Sequence, residues 1–260
     1  AAFSAQALRT PSAVALTYVR EEGRADRLGT SLMAVVAEGN RTRVYLPPDE
    51  IHRSASDVHR PSTTPEAAIP PQAPSFRVQA YGMTQWADLF TNRQLLALTT
   101  FSDLVIEARE RILLDALASG TSRGQRLESG GNEAEAYADA VATYLGLGVS
   151  RTADLGNSLA TWSSSRDQTR NLFARQAVPM AWDFVEVSPF AGASGDVAVA
   201  TETMSRSLAV LPAGVDATAR QQDAVASLDD GSLLATDPPY YDNIGYSDLS
   251  DFFYVWLRRS

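Results

Sequence analysis

Residues 236–246, Thr236-Asp237-Pro238-Pro239-Tyr240-Tyr241-Asp242-Asn243-Ile244-Gly245-Tyr246, decide how this chain is read. Ser232-Leu233-Leu234-Ala235-Thr236 reads as a short buried strand running straight into them, and Ser247 through Arg259 reads as a helix leaving them. Consecutive prolines fix φ and donate no N–H, so the peptide between strand and helix is held as a rigid turn. Strand, turn and helix in that order form the repeat of a doubly wound sheet, whose ligands lie beyond the carboxyl ends of the strands. The expected fold class is therefore α/β, Rossmann-like.

The same turn sets out a chemistry. An amine on a heteroaromatic ring is a poor nucleophile, because its lone pair is delocalised into the ring. The carboxylate of Asp237 can accept one N–H and the main-chain carbonyl of Pro238 the other, which draws the nitrogen toward a tetrahedral shape and frees the lone pair. Pro239 keeps that carbonyl pointing outward. Tyr240 offers a flat face to a base taken out of its stack, a contact of roughly 1–3 kcal/mol in single-strand binding proteins. Tyr241 and Asn243 then shape the rim of the pocket. The plainer reading is a proline-rich loop with aromatics behind it.

Asp237-Pro238-Pro239-Tyr240-Tyr241-Asp242-Asn243-Ile244, followed by Tyr246-Ser247-Asp248-Leu249-Ser250-Asp251-Phe252-Phe253-Tyr254-Val255-Trp256-Leu257-Arg258-Arg259, resembles the bacterial and archaeal family of adenine-specific DNA methylases that carry a zinc-ribbon insertion. Leu89-Phe90-Thr91-Asn92-Arg93-Gln94-Leu95, Met180-Ala181-Trp182-Asp183-Phe184-Val185-Glu186 and Arg20-Glu21-Glu22-Gly23-Arg24 extend the likeness, which runs from about residue 16 to the last residue. The resemblance implies a Rossmann-like S-adenosylmethionine-dependent methyltransferase core and methyl transfer to the N6 amine of an adenine flipped out of DNA. It makes Asp237, Pro238, Pro239 and Tyr240 catalytic, with Tyr240, Tyr241 and Asn243 on the substrate side, and it requires no metal for the transfer. Partners in a modification or phage-defence system follow from the same likeness. A related Asn-Pro-Pro-Tyr serves enzymes acting on RNA guanine or protein glutamine, and a non-catalytic interaction module is the further alternative.

In that family the glycine-rich cofactor loop precedes the ribbon, and nothing in residues 1–40 has its form. The chain is accordingly expected to be an internal fragment with an incomplete core, inactive in isolation and missing the upstream cofactor-loop segment of its parent. Paired cysteines are expected just before Arg20, where Pro11-Ser12-Ala13-Val14 stands. With no cysteine and only His52 and His59, no zinc site of the usual ligand spacing can be built.

Three further positions draw a functional reading. Val187 through Gly195 is similar to an Asp-Pro-Phe-x-Gly-x-Gly cofactor loop. However, only 45 positions separate Gly192 from Asp237, too few for about three βα units of ~20–30 residues each, so this segment is expected to be a turn lining the site. Asp223 fits either an acidic residue that binds the adenine amine of S-adenosylmethionine or a helix N-cap. Arg93 fits a nucleic-acid contact or, as the commoner fate, surface pairing with Asp88 or Asp103.

Composition bounds these readings. At 260 residues and 45% apolar, the chain can bury one substantial core with a small appendage. No apolar run approaches the ~20 residues of a membrane span, and no signal-peptide pattern opens the sequence, so a cytoplasmic protein is expected. All 22 basic residues are arginine, and the net charge of −9 sits awkwardly with a phosphate-binding surface. Acidic residues concentrate around Glu107–Asp115 and Glu128–Asp139, whereas Arg20, Arg24, Arg27, Arg41 and Arg43 gather near the N-terminus.

Residues 30–46 read as a hairpin turning at Gly39-Asn40 and held by Leu32, Val35, Val44 and Leu46. They close a β appendage over residues 1–46. The seven prolines of Pro47–Ser75 predict an extended linker, followed by a partial methyltransferase domain over 76–260. Within it, apolar residues at spacings of three and four predict a helix capped by Thr91 and stopped by Gly120. A second helix is expected over Glu133–Leu145 and a third over Asn157–Arg175, with Trp162 and Phe173 in the core. Together these make a helical insertion over about 91–175.

Overall fold

Thr91 and Gln94 close the first turn of the longest helix. The Gln94 N–H donates to the Thr91 hydroxyl at 3.2 Å and the Thr91 N–H donates to Gln94 Oε1 at 2.8 Å, a reciprocal cap that satisfies two otherwise orphaned donors. The computed structural model describes residues 14–211, 222–223, 233–238, 240–241 and 244–260. In chain order these form α1 (Leu16–Arg24), β1 (Val35–Glu38), β2 (Arg43–Leu46), α2 (Glu50–Ser56), α3 (Asn92–Ala118), α4 (Ala134–Leu155), β3 (Thr161–Ser163), β4 (Gln168–Arg170), α5 (Val197–Ala209) and α6 (Tyr246–Leu257). The described chain is thus mixed α/β, a little under half helical, with few strands and no closed barrel. No described helix is long and apolar enough to cross a membrane.

The two long helices run antiparallel, since Arg109 of α3 meets Asp139 near one end of α4 while Leu98 and Thr152 line one cavity near the other. Gly120, at φ +91°, ends α3 where the sequence predicts, because only glycine enters that region without cost. The second helix runs ten residues past its expected end at Leu145. Glycine does not break it there: Gly146 lies against Leu257, and a Cβ on Gly148 would stand 3.1 Å from the Met204 methyl, so both positions let neighbours pack closely.

Trp86, Phe90, Phe252 and Trp256 form the centre of the core, with Phe173 against Phe252 at 5.1 Å between ring centroids. Trp256 and Phe252 are fully buried, and burying an aromatic of this size contributes several kcal/mol in mutational terms. At the far end of the helix pair, Arg109 bridges Glu135 and Asp139, Arg126 also reaches Asp139, and Arg123 reaches Glu135. Burial alone would raise the Asp139 pKa. The Arg126 hydrogen bond, the Leu127 N–H and Arg109 outweigh it and hold the group at about 2.

Several expectations are corrected. Pro47–Ser75 is no free linker: Asp49 caps α2 through the His52 N–H at 2.8 Å, and Ile69 is buried and donates its N–H to Thr84 at 2.8 Å. The prolines stiffen a strap whose apolar residues dock on the core. Asn157–Arg175 is no helix either. Asn157, fully buried, takes the Leu159 N–H on its side chain and turns the chain out of α4 into the β3–β4 hairpin, whose turn holds Asp167 at φ +47°. Phe173 packs on the core while Trp162 is only half-buried.

The N-terminal hairpin forms with its turn where expected, pairing Val35 with Leu46 and Glu38 with Arg43. Its expected apolar support is absent: Leu32, Val44 and Leu46 are exposed. What ties the ribbon down is Tyr45, whose hydroxyl donates to Asp167 at 2.7 Å and accepts from Trp162 Nε1 at 3.0 Å.

Candidate functional site

The chain leaving the Asp-Pro-Pro-Tyr turn is anchored. Gly245 starts α6 so close to Pro74 that a Cβ would lie 3.1 Å from its Cδ, Ile244 packs against the core, and Leu249, Phe252 and Trp256 are buried along one face. A 12-residue helix with aromatic anchors at i, i+4 fixes the position of whatever immediately precedes it.

The chain entering the turn is not anchored in this way. Leu233 is 97% exposed and Leu234 60%, and residues 233–238 form irregular backbone. The buried strand expected there is therefore not present among the described residues; an apolar run becomes a strand only where a neighbour pairs with it, and no described strand lies alongside. Asp237 and Pro238 are exposed, Tyr240 is 65% exposed, and Tyr241, 97% exposed, takes φ +44°. Two carboxylate oxygens and two aromatic faces thus open to solvent at the head of α6. Pro239, Asp242 and Asn243 lie outside the described residues, as do residues 11–13. Asp223 is described, exposed and in irregular backbone, its neighbours on the C-terminal side outside the described set.

A second concave feature lies where the first turn of α3 meets the 186–195 segment. Arg93, Gln94, Leu98, Glu186, Val187 and Gly195 help to line a cavity of about 70 Å³, room for several waters. Arg93 does not pair with Asp88 or Asp103. It grips Glu186 through two bonds of 2.5 and 2.7 Å and donates to the Ser56 carbonyl, and the Glu186 hydrogen bonds hold the guanidinium pKa above its ordinary value. Asp103 goes instead to Arg259, and Asp88 accepts the Thr84 and Gln85 N–H groups. Glu186 also accepts from the Thr91 hydroxyl at 3.1 Å. Gln94 Nε2 is buried without a partner.

Val187, Pro189 and Gly195 of the 187–195 turn line this cavity rather than the surroundings of Asp237. Its N–H groups are partly spoken for: Asp196 accepts from Gly192 at 2.7 Å and from Ala198 at 2.7 Å, which lowers the Asp196 pKa. A cavity of about 70 Å³ is well below the ~300–1,000 Å³ of ligand pockets. This cavity alone therefore does not enclose a molecule the size of S-adenosylmethionine, and Asp237 is not among the residues that line it. Sequence reasoning missed Glu186 as the partner of Arg93, because a pair 93 residues apart leaves no local signal.

No protein-family model, curated protein or solved structure matches the chain.

Proposed function

We propose that this chain carries the catalytic turn of an S-adenosylmethionine-dependent methyltransferase acting on the N6 amine of adenine in DNA. The observation that carries the reading is the Asp237-Pro238-Pro239-Tyr240 run set directly ahead of a core-anchored helix, with Asp237, Tyr240 and Tyr241 turned to solvent. The methyl donor supplies an electrophilic carbon. This chain's residues prepare the nucleophile: the Asp237 carboxylate and the Pro238 carbonyl accept the two amine N–H groups, so the lone pair is no longer shared with the ring. Tyr240 stacks on the extruded base and repays part of the cost of flipping it. Tyr241 and Asn243 form the rim, and Asp223 is the cofactor-side acid. Placement of a cofactor-enclosing loop outside the described residues fits the small volume of the 186–195 cavity.

The test is methyl transfer by the full-length gene product onto unmethylated duplex DNA, RNA and a glutamine-bearing protein, with product nucleosides separated. N6-methyladenine in DNA is expected. Transfer only to RNA or to glutamine overturns the substrate class, and transfer to no acceptor despite measured donor binding supports the interaction-module alternative.

A further inference from the structure

We propose that the β1–β2 ribbon is a docking arm that enters the major groove of duplex DNA. The ribbon is two strands of four residues, and every residue of β2 is exposed. An isolated two-stranded hairpin is marginally stable in water, and both outer edges of this one present unpaired backbone groups. Its attachment to the body runs through the tip of Tyr45, held by Asp167 and Trp162 with the Tyr45 and Trp162 rings edge to face at 6.4 Å. That arrangement fixes the ribbon's direction while leaving β2 exposed along its length.

A B-DNA major groove admits a two-stranded ribbon of this width. Charge selects the occupant. Across 35–46 and 161–170 the two hairpins carry Arg41, Arg43, Arg166 and Arg170 against Glu38 and Asp167, a net +2 on a chain whose total is −9. Arg41 and Arg43 enter no ion pair among the described residues, whereas Arg109 and Arg111 of α3 and Arg206 of α5 are paired with carboxylates. Asp167 accepts the Tyr45 hydroxyl, and within the ribbon Glu38, opposite Arg43, is the one carboxylate. Arginine on an exposed ribbon supplies bidentate contacts to phosphate and to guanine edges. RNA duplex is the poorer fit, because its major groove is deep and narrow.

The inference rests on the DNA reading above but is measured apart from it, by fluorescence anisotropy of a labelled DNA duplex without methyl donor. The double variant Arg41→Asn/Arg43→Gln, with asparagine chosen because residue 41 sits at φ +60°, is compared with Arg111→Gln/Arg206→Gln, which removes equal charge from α3 and α5. Unchanged thermal unfolding confirms that each variant folds. The ribbon variant is expected to bind about tenfold or more weakly and to flatten the slope of log affinity against log salt by about two, the α3/α5 variant to stay within about twofold. Equal losses in both variants, no loss in either, or RNA duplex binding as tight as DNA would overturn the proposal. Loss of methyl transfer with DNA binding intact would count against the catalytic reading alone.

Discussion

The two flanks of the Asp-Pro-Pro-Tyr turn have similar apolar content and opposite fates. Downstream, Leu249, Phe252 and Trp256 sink into the core; upstream, Leu233 and Leu234 stand in solvent. The difference is one of partners. α6 meets a ready surface of Trp86, Phe90 and Phe173, whereas 233–236 has no described strand beside it. Apolar residues are buried by what is across from them, so a turn can be rigid on one side and open on the other.

Truncating the anchored side should have the largest effect. Trp256→Ala or Phe252→Ala is expected to cost about 3–5 kcal/mol, while Leu233→Ala should stay within about 0.5 kcal/mol; denaturant melts of the three variants check this. A Leu233→Ala loss comparable to Trp256→Ala would show that the upstream flank is packed after all.

A middling effect should come from the charged end of the helix pair. Because the Asp139 pKa is about 2 in the fold against an ordinary 3.8, the ionised form favours folding. Its contribution is complete above the ordinary value and is lost as pH falls through the folded one, between about 4 and 2. Asp139→Asn should therefore lower stability at neutral pH and flatten the acid limb; an unchanged limb would show that the network adds nothing. Smallest is Thr91→Ala, which removes one half of the α3 cap and should cost about 1 kcal/mol, read as a shift in thermal midpoint. Gln94→Ala removes the other half, and a much larger loss there would mean that the cavity beside it contributes to stability.

Features written in adjacent residues were legible in the sequence. The start of α3 at Thr91, its stop at Gly120, the turn of the N-terminal hairpin and the helix after the Asp-Pro-Pro-Tyr run each depend on neighbours within one turn. Features written across the chain were not. The Arg93–Glu186 pair, the docking of Ile69 and the grip of Tyr45 on the β3–β4 hairpin join residues 15 to 122 positions apart, and no periodicity announces them. The helix expected over Asn157–Arg175 does not form because Asn157 diverts the chain first, although Phe173 packs on the core as expected. Of the candidate site, the motif with its carboxylate and rings was legible, whereas the strand expected to lead into it is absent among the described residues.

Asp237→Ala in the full-length gene product tests the central claim most directly, through turnover and donor affinity measured together on the same DNA. In the proposed mechanism the carboxylate serves the amine as it becomes tetrahedral, so turnover should fall at least about a hundredfold, as for loss of one preorganised polar partner, while donor affinity changes little. An Asp237→Ala enzyme with near-normal turnover would contradict the account.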